Sequence, residues 1–407
     1  TSRPDFIRAI RHMCYFSTER AFLGAPKNGG FAYFKKFDGS GQERNRFIFN
    51  GVNGNSPFSM TLLEGVYRSL VAADPEAAAL LGCGPKAMNI ASPTNFCDMP
   101  PGASSRSSSD FKSYFFQFAQ LPFLLRYQGL CNVPGHEVGM PEAETVRVGL
   151  KVLAMGNWMA ALIAHAAHWC ILNRGLVRRP LRFFHAAHSS VEHREDLGRA
   201  VDMAAASDDG MVAWKDLPER MRRRFVAVVP GMTAHPLGSS KLEELRVPLC
   251  ALRCEPTRDV KGRPVGEWYQ AWTTLIGGSR NGRAAVEAMR RENRSQGVDT
   301  YAILCTVYQD DQHSFTFGPW VPKGRDVSLE VAAGHRLVTT LVTDAAGLRQ
   351  NFSKMEWPTR QTRPVLGIDA EFLTGPERLV RFSMSPGRRG RIAQEIEAII
   401  ALSRCRS

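Results

Sequence analysis

The chain has 407 residues, 44% hydrophobic and 22% charged, which is enough to bury a substantial core and excludes a disordered tail. Its net charge is +13, and 41 of the 52 basic residues are arginine, whose planar, permanently charged fork suits phosphate and stacked bases. The excess is +6 up to residue 206 and +7 beyond it, so it belongs to the whole chain, either as a nucleic-acid surface or as solvated faces.

Nine cysteines are scattered at wide spacing with no CxxC pair and no zinc-like Cys/His cluster, so they read as reduced thiols without a metal. The apolar run Trp158 to Leu172 is interrupted by His165 and His168, which argues against a membrane span.

Residues 5–23 have the periodicity of a helix. With Arg3, Arg8, Arg11 and Arg20 among apolar residues, the start of the chain reads equally as the end of an organellar targeting sequence and as a basic surface helix. Phe31–Phe37 and Arg44–Asn50 are short aromatic and basic strand candidates joined by a Gly-rich turn, a hairpin with positive charge at its tip. A helix is expected over 59–81 and a Gly/Pro/Ser-rich loop over 98–109. Ser109–Phe118 then reads as a buried strand running into a helix. An apolar helix follows over 156–174, a strand from Arg182, helices over 195–206 and 214–224, and a strand over Phe225–Val229. The segment 266–295 reads as helical. From Tyr301 the texture becomes strand-rich, with candidates at Tyr301–Tyr308, Ser314–Phe317, Leu337–Val342, Val365–Ile368 and Leu379–Met384, and Gly387–Arg391 leads into a last helix over 392–403. This change suggests a domain boundary near residue 300.

Several of these pieces, in this order, resemble a known family. They are Arg44–Asn50; Ser-Asp-Phe-x-x-Tyr-Phe-Phe-Gln-Phe-x-x-Leu-Pro at 109–122; Arg126 and Tyr127; and Leu153–Trp158 opening an Ala-rich helix. They resemble the fingers and palm of a reverse transcriptase of the tyrosine-recombinase retroelement type, including the trypanosomatid one. Leu341–Ala345, with Asp344, looks like the first strand of a ribonuclease H domain, and Gln394–Leu402, with Glu395, like its first acidic helix. The resemblance implies an α+β protein: residues 1–29 as a basic N-terminal extension, 30–300 as fingers, palm and connection, and 301–407 as a partial ribonuclease H-like α/β domain. It also implies that Asp110 holds catalytic magnesium, that Phe115 lies under the sugar of an incoming nucleotide, and that Met155–Gly156, followed by Asn157, backs the nucleotide. Arg44 and Arg46, counted with Lys35 and Lys36 of the same hairpin, would meet the triphosphate.

The departures from that pattern point away from catalysis. Two-metal phosphoryl transfer needs at least two carboxylates close together. The second is expected after Arg182-Phe183-Phe184, where the sequence reads His185-Ala186-Ala187-His188, and no Asp occurs between Asp110 and Asp196. The two histidines read as strand or turn residues. The chain given also ends before the later carboxylates of a ribonuclease H site. The expectation is therefore an inactive, non-enzymatic chain with no catalytic and no metal-ligating residues, whose only small ligand would be a nucleoside triphosphate or Mg2+.

What remains is binding chemistry: the fingers residues, Arg126, and the runs Arg222-Arg223-Arg224 and Arg388-Arg389-x-Arg391 as grips on RNA phosphate. The chain looks like the paired guide-RNA-associated subunits of the kinetoplastid RNA-editing substrate-binding complex. That likeness implies the mitochondrial matrix, guide RNA held by its 5′-triphosphate end, and a related partner chain in a heterodimer within a larger ribonucleoprotein; no membrane partner is expected, and the strands that a partial ribonuclease H fold leaves unpaired suggest exchange of that element between the two chains. One alternative is a mitochondrial ribosomal or assembly protein. Another is an active nucleotidyltransferase whose second carboxylate is displaced, to Asp196, Asp202 or a partner chain.

Overall fold

The structure is a computed structural model that describes residues 3–25, 27, 29–37, 43–50, 65, 68–69, 72–73, 75, 102–120, 122–155, 160–230, 242–276, 282–293, 297–319, 326–365, 368–373 and 380–404. It is an α+β protein. In chain order the elements begin with α1 (Arg3–Ile10), β1 (Cys14–Ser17), α2 (Arg20–Leu23), β2 (Gly29–Phe37), β3 (Glu43–Asn50), β4 (Ala103–Ser109), β5 (Gly129–Val133) and β6 (Val146–Leu150). Next come α3 (Ala160–Leu172), β7 (Leu181–His185), α4 (Val191–Ala205), β8 (Met211–Ala213), α5 (Glu219–Ala227), β9 (Arg246–Pro248), α6 (Leu249–Leu252), β10 (Cys254–Thr257) and β11 (Trp268–Ile276). The last are α7 (Gly282–Asn293), β12 (Thr300–Tyr308), β13 (Asp311–Phe317), α8 (Ser328–Ala345), β14 (Glu356–Thr359), β15 (Arg363–Val365), β16 (Ile368–Phe372), β17 (Val380–Met384) and α9 (Pro386–Arg404).

The chain divides into two compact units. The first comprises Thr1–Pro75, Cys83–Lys86 and Ser113–Ala167. Its three-stranded antiparallel sheet has the order β1-β6-β5. Ile7 and Ile10 of α1 pack with Val133, Val146, Val148 and Leu150 into one core. Residues 5–23 are therefore not one helix: α1 stops at Ile10, and Cys14–Ser17 pairs along β6. Aromatic Tyr15 and Phe16 suit a pleated, half-buried edge. The β2–β3 hairpin forms where its aromatic alternation predicts, with Gly29 opposite Asn50 and Phe37 opposite Glu43. The helix expected over 59–81 lies largely outside the described residues; those described within it are helical.

The second unit comprises Glu76–Gly82, Ala87–Lys112 and His168–Ser407. It is built on a seven-stranded sheet of order β10-β7-β11-β12-β13-β4-β14, in which β11 and β12 are parallel and every other pairing is antiparallel. Successive residues face opposite sides. On one side Ala302, Leu304, Phe315 and Phe317 pack against Val286 of α7 and against Val365, Ala370 and Phe382 of the small sheet β15-β16-β17. On the other lies α8, buried along nearly its whole length, with Thr273 Oγ1 of β11 2.8 Å from His335 Nε2. Gly334 lets α8 approach β7: a Cβ there would stand 2.9 Å from the Phe183 ring.

Five expectations are corrected in this unit. The presumed loop 98–109 contains β4, all seven residues of which are buried; serine is small enough to fill a strand between two sheet faces when its hydroxyl is bonded, as Ser104 is to Thr316 O at 3.2 Å. Phe225–Val229 is no strand, since α5 continues to Ala227 and buries Phe225 and Val226. The supposed helix 266–295 is β11 followed by α7, because Trp268–Ile276 joins the centre of the sheet. Leu337–Val342 belongs to α8, so Leu341–Ala345 is helix rather than a ribonuclease H first strand. Finally, Gly387–Arg391 is already part of α9. Residue 300, where the texture changes, opens β12, which runs beside β11 in one sheet. Among the described residues no helix is long and apolar enough to cross a membrane.

Candidate carboxylate site

β12 and β13 form a hairpin in which Tyr308 faces Asp311, and Gln309 and Asp310 make the turn. Gln309 takes a left-handed φ of 53°, a conformation that costs a non-glycine residue on the order of 1 kcal/mol and clusters at functional sites. On its other side β13 pairs with β4, with Gln312 opposite Ser109. Asp110, one residue past the end of β4, thus comes beside Asp311 on the neighbouring strand. Burial, and after it the charges of Asp310 and Asp110, push the Asp311 carboxyl up to about 6, with Lys354 opposing. The electrostatics therefore place three carboxylates from two chain segments within mutual influence.

Neighbouring side chains hold this end of the sheet. Asp110 Oδ2 accepts from Asn351 Nδ2 at 2.9 Å and lies 3.0 Å from Lys354 Nζ, while the Asp110 carbonyl accepts the Asn351 N–H at 2.8 Å. His168 Nδ1 is 3.4 Å from the Gln309 carbonyl oxygen, and its ring meets Phe111 edge-on with centroids 4.9 Å apart. Carboxylate oxygens are the ligand type that Mg2+ or Mn2+ take, together with waters and phosphate. Among the described residues no three metal-ligating side chains already stand close enough to hold an ion, and Lys354 supplies positive charge at Asp110.

The carboxylates beside Asp110 are thus those of Asp310 and Asp311, and the stretch after Phe184 supplies none. His185 ends β7 and His188 sits in the turn beyond it, as the sequence suggests. Asp196 is no substitute. It is fully buried on α4, where Arg199, Arg220 and Arg224 bind it.

The other expected site residues fall on several elements of the two units. Lys36 is opposite Arg44 and Tyr33 opposite Arg46 in the β2–β3 hairpin, with Lys35 at a shift of register between Phe34 and Lys36. Phe115 is half-buried in a short 3-10 turn of the first unit, edge-on to Tyr114 at 5.4 Å, whereas Asp110 belongs to the second unit. Arg126 lies over the ring of Tyr127 at 4.7 Å and donates to its hydroxyl. Asn157 lies outside the described residues. The run 222–224 is not one track, because consecutive helical residues point about 100° apart. Arg222 Nε donates to Leu217 O at 3.1 Å, Arg223 Nε to Glu219 at 2.9 Å, and Arg224 bridges Asp196 and Glu255 at 3.1 Å each. Arg388, Arg389 and Arg391 are exposed in the first turns of α9.

No protein-family model matches the chain, and no curated protein matches it. The functional reading rests on the site itself. Sequence reasoning missed Asp310 and Asp311, although they stand between two strands it did place, Tyr301–Tyr308 and Ser314–Phe317. A turn bounded by two such strands and carrying two adjacent acids was the available signal.

Proposed function

We propose that this chain is a metal-dependent nucleotidyltransferase of the polymerase kind, acting on a nucleic-acid strand, with Asp110, Asp310 and Asp311 as its acidic centre. The observation that carries this reading is the β4–β13 register, which sets Asp110 beside the Asp310–Asp311 turn. The sheet order β12-β13-β4-β14, with α8 between β13 and β14, supports it: a strand, a hairpin, a helix and a returning strand are parts of the split βαβ arrangement. That arrangement agrees with the palm resemblance read from Asp110 and its flanking residues. The inactive reading rested on a missing second carboxylate, and the pair Asp310–Asp311 beside Asp110 favours the active alternative.

The bound cation would supply Lewis acidity at the phosphoryl group and charge for the attacking and leaving oxygens. Asp110 and Asp311 would hold it from adjacent strands, and Asp310 would hold it from the turn. Asn351 and Lys354 fix the Asp110 carboxylate, and His168 braces the turn through the Gln309 carbonyl.

The Lys354–Asp110 pair favours a second reading, an RNA-holding protein that no longer loads the ion, such as a guide-RNA or 5′-triphosphate binder. Primer extension on an RNA or DNA template with Mg2+ or Mn2+ separates the two. The proposal expects extension by the wild-type chain and a loss of about 10²-fold or more in Asp310→Asn and Asp311→Asn. Absence of extension with intact RNA binding would establish the second reading.

A further inference from the structure

Three arginines gather at the β10 edge of the seven-stranded sheet, Arg224, Arg258 and Arg263. Thr257, the last residue of β10, pairs with Arg182 of β7, and Arg258 follows it into a loop that reaches β11. Three main-chain carbonyls hold the Arg258 guanidinium: Nε donates to Val228 O at 2.7 Å, Nη2 to Gly175 O at 2.7 Å and Nη1 to Arg179 O at 3.4 Å. All three partners are neutral carbonyls, so a half-buried cation is fixed in place by hydrogen bonds that leave its charge unpaired by them. Burial, and then the charge of Arg179, lower its pKa below the ordinary arginine value.

A second guanidinium faces the same space. Arg263 lies 4.7 Å above the ring of Phe184 and donates Nη1 to His188 O at 3.2 Å. With Arg258, Phe184, Thr257 and Asp259 it lines a cleft of about 370 Å³. Two acids line it, and one of them is ion-paired. Glu255 is engaged by Arg224 at 3.1 Å and by the Ser190 N–H at 3.0 Å. Asp259 is exposed and accepts the Lys261 N–H at 2.9 Å. The cleft thus offers the Arg263 fork, backed by the Phe184 ring, with the half-buried Arg258 fixed beside it as a positive charge. Guanidinium forks bind phosphate through paired, charge-assisted hydrogen bonds, and an open cleft admits a strand passing through as well as a compact anion.

We propose that this cleft is a second binding site, separate from Asp110, Asp310 and Asp311, that takes a backbone phosphate of a nucleic-acid strand. Free nucleotide phosphate shares that chemistry and is the other source to be distinguished.

The test is fluorescence anisotropy of a labelled single-stranded oligonucleotide with the full chain in EDTA, so that neither metal nor catalysis enters. Arg263→Glu should weaken binding by about tenfold and lower the slope of log K against log salt by about 1. Arg263→Lys should keep most of the slope. Asp259→Asn, which removes a negative charge at the mouth, should tighten binding. Unchanged affinity and slope in both Arg263→Glu and Asp259→Asn would overturn the site. Displacement of the oligonucleotide by a mononucleotide at equal phosphate concentration would overturn the strand assignment in favour of free phosphate esters. Because binding is read without metal, failure here leaves the extension assay untouched, and failure of extension leaves this result standing.

Discussion

Lys354 sets its ammonium 3.0 Å from the outer oxygen of Asp110, the same oxygen that Asn351 approaches to 2.9 Å. A cation on a lysine stem and a divalent ion would compete for that oxygen, since a carboxylate's lone pairs are limited in number. A divalent ion bound at the proposed centre would therefore have to displace that ammonium or share the oxygen with it.

Lys354→Met should accordingly bind Mn2+ more tightly than the wild-type chain. The side chain is 56% exposed, so screening keeps the gain to a few-fold, on the order of 1 kcal/mol or less. Calorimetric titration with Mn2+ measures it, and equal or weaker binding by the variant would show that Lys354 supports the ion instead of competing with it.

Asp311 gives the site a pH signature. Its carboxyl is pushed up to about 6 in the folded chain, first by burial and then by Asp310 and Asp110, from an ordinary value of 3.8. Between those two values the folded state binds the extra proton, so stability falls as pH rises through the window. Above it the ionised group costs on the order of 1–2 kcal/mol after allowance for partial exposure. Asp311→Asn should therefore be more thermostable than wild type at pH 7.5 by a few degrees and lose that advantage at pH 4. Added Mg2+ should raise the wild-type melting temperature at the higher pH and leave the variant nearly unchanged.

Asp196 should behave in the opposite sense. Burial alone would raise its pKa, but hydrogen bonds from Arg220, Arg224 and Arg199 outweigh it and hold the carboxyl below its ordinary 3.8. The stability it contributes is present at neutral pH and is lost as pH falls through that lowered value. Asp196→Ala leaves three guanidinium groups around an empty position and should cost about 3–5 kcal/mol. Arg220→Ala, which removes a half-exposed partner, should move the unfolding midpoint little. Urea unfolding of the two variants checks the contrast.

How far the sequence could be read depends on what its patterns measure. The β2–β3 hairpin was legible because aromatic alternation and a Gly-rich turn are local signals, and α3 because its apolar run is long. β4 was not, since five serines and an arginine in seven residues report no hydrophobic period; its identity comes from β13 and β14 on either side. α8 misled for the converse reason. Its Leu-Val-Thr-Thr-Leu-Val run has strand-like composition, and burial across the sheet fixes it as helix. Asp110 was legible through its neighbours, whereas Asp310 and Asp311 become partners of Asp110 only through a register between distant strands.

That distance bears on how the molecule comes to its native state. The hydrogen bond from Ser104 to Thr316 closes a span of 212 residues, and the acidic cluster lies at the end of that loop's closing strands. Closing so long a loop exacts its entropy before the strands reward it, and topologies dominated by such pairings fold slowly. Metal affinity at Asp110 and Asp311 would thus emerge late in refolding, when the middle of the sheet has closed, and the ion would serve as a kinetic reporter of that event.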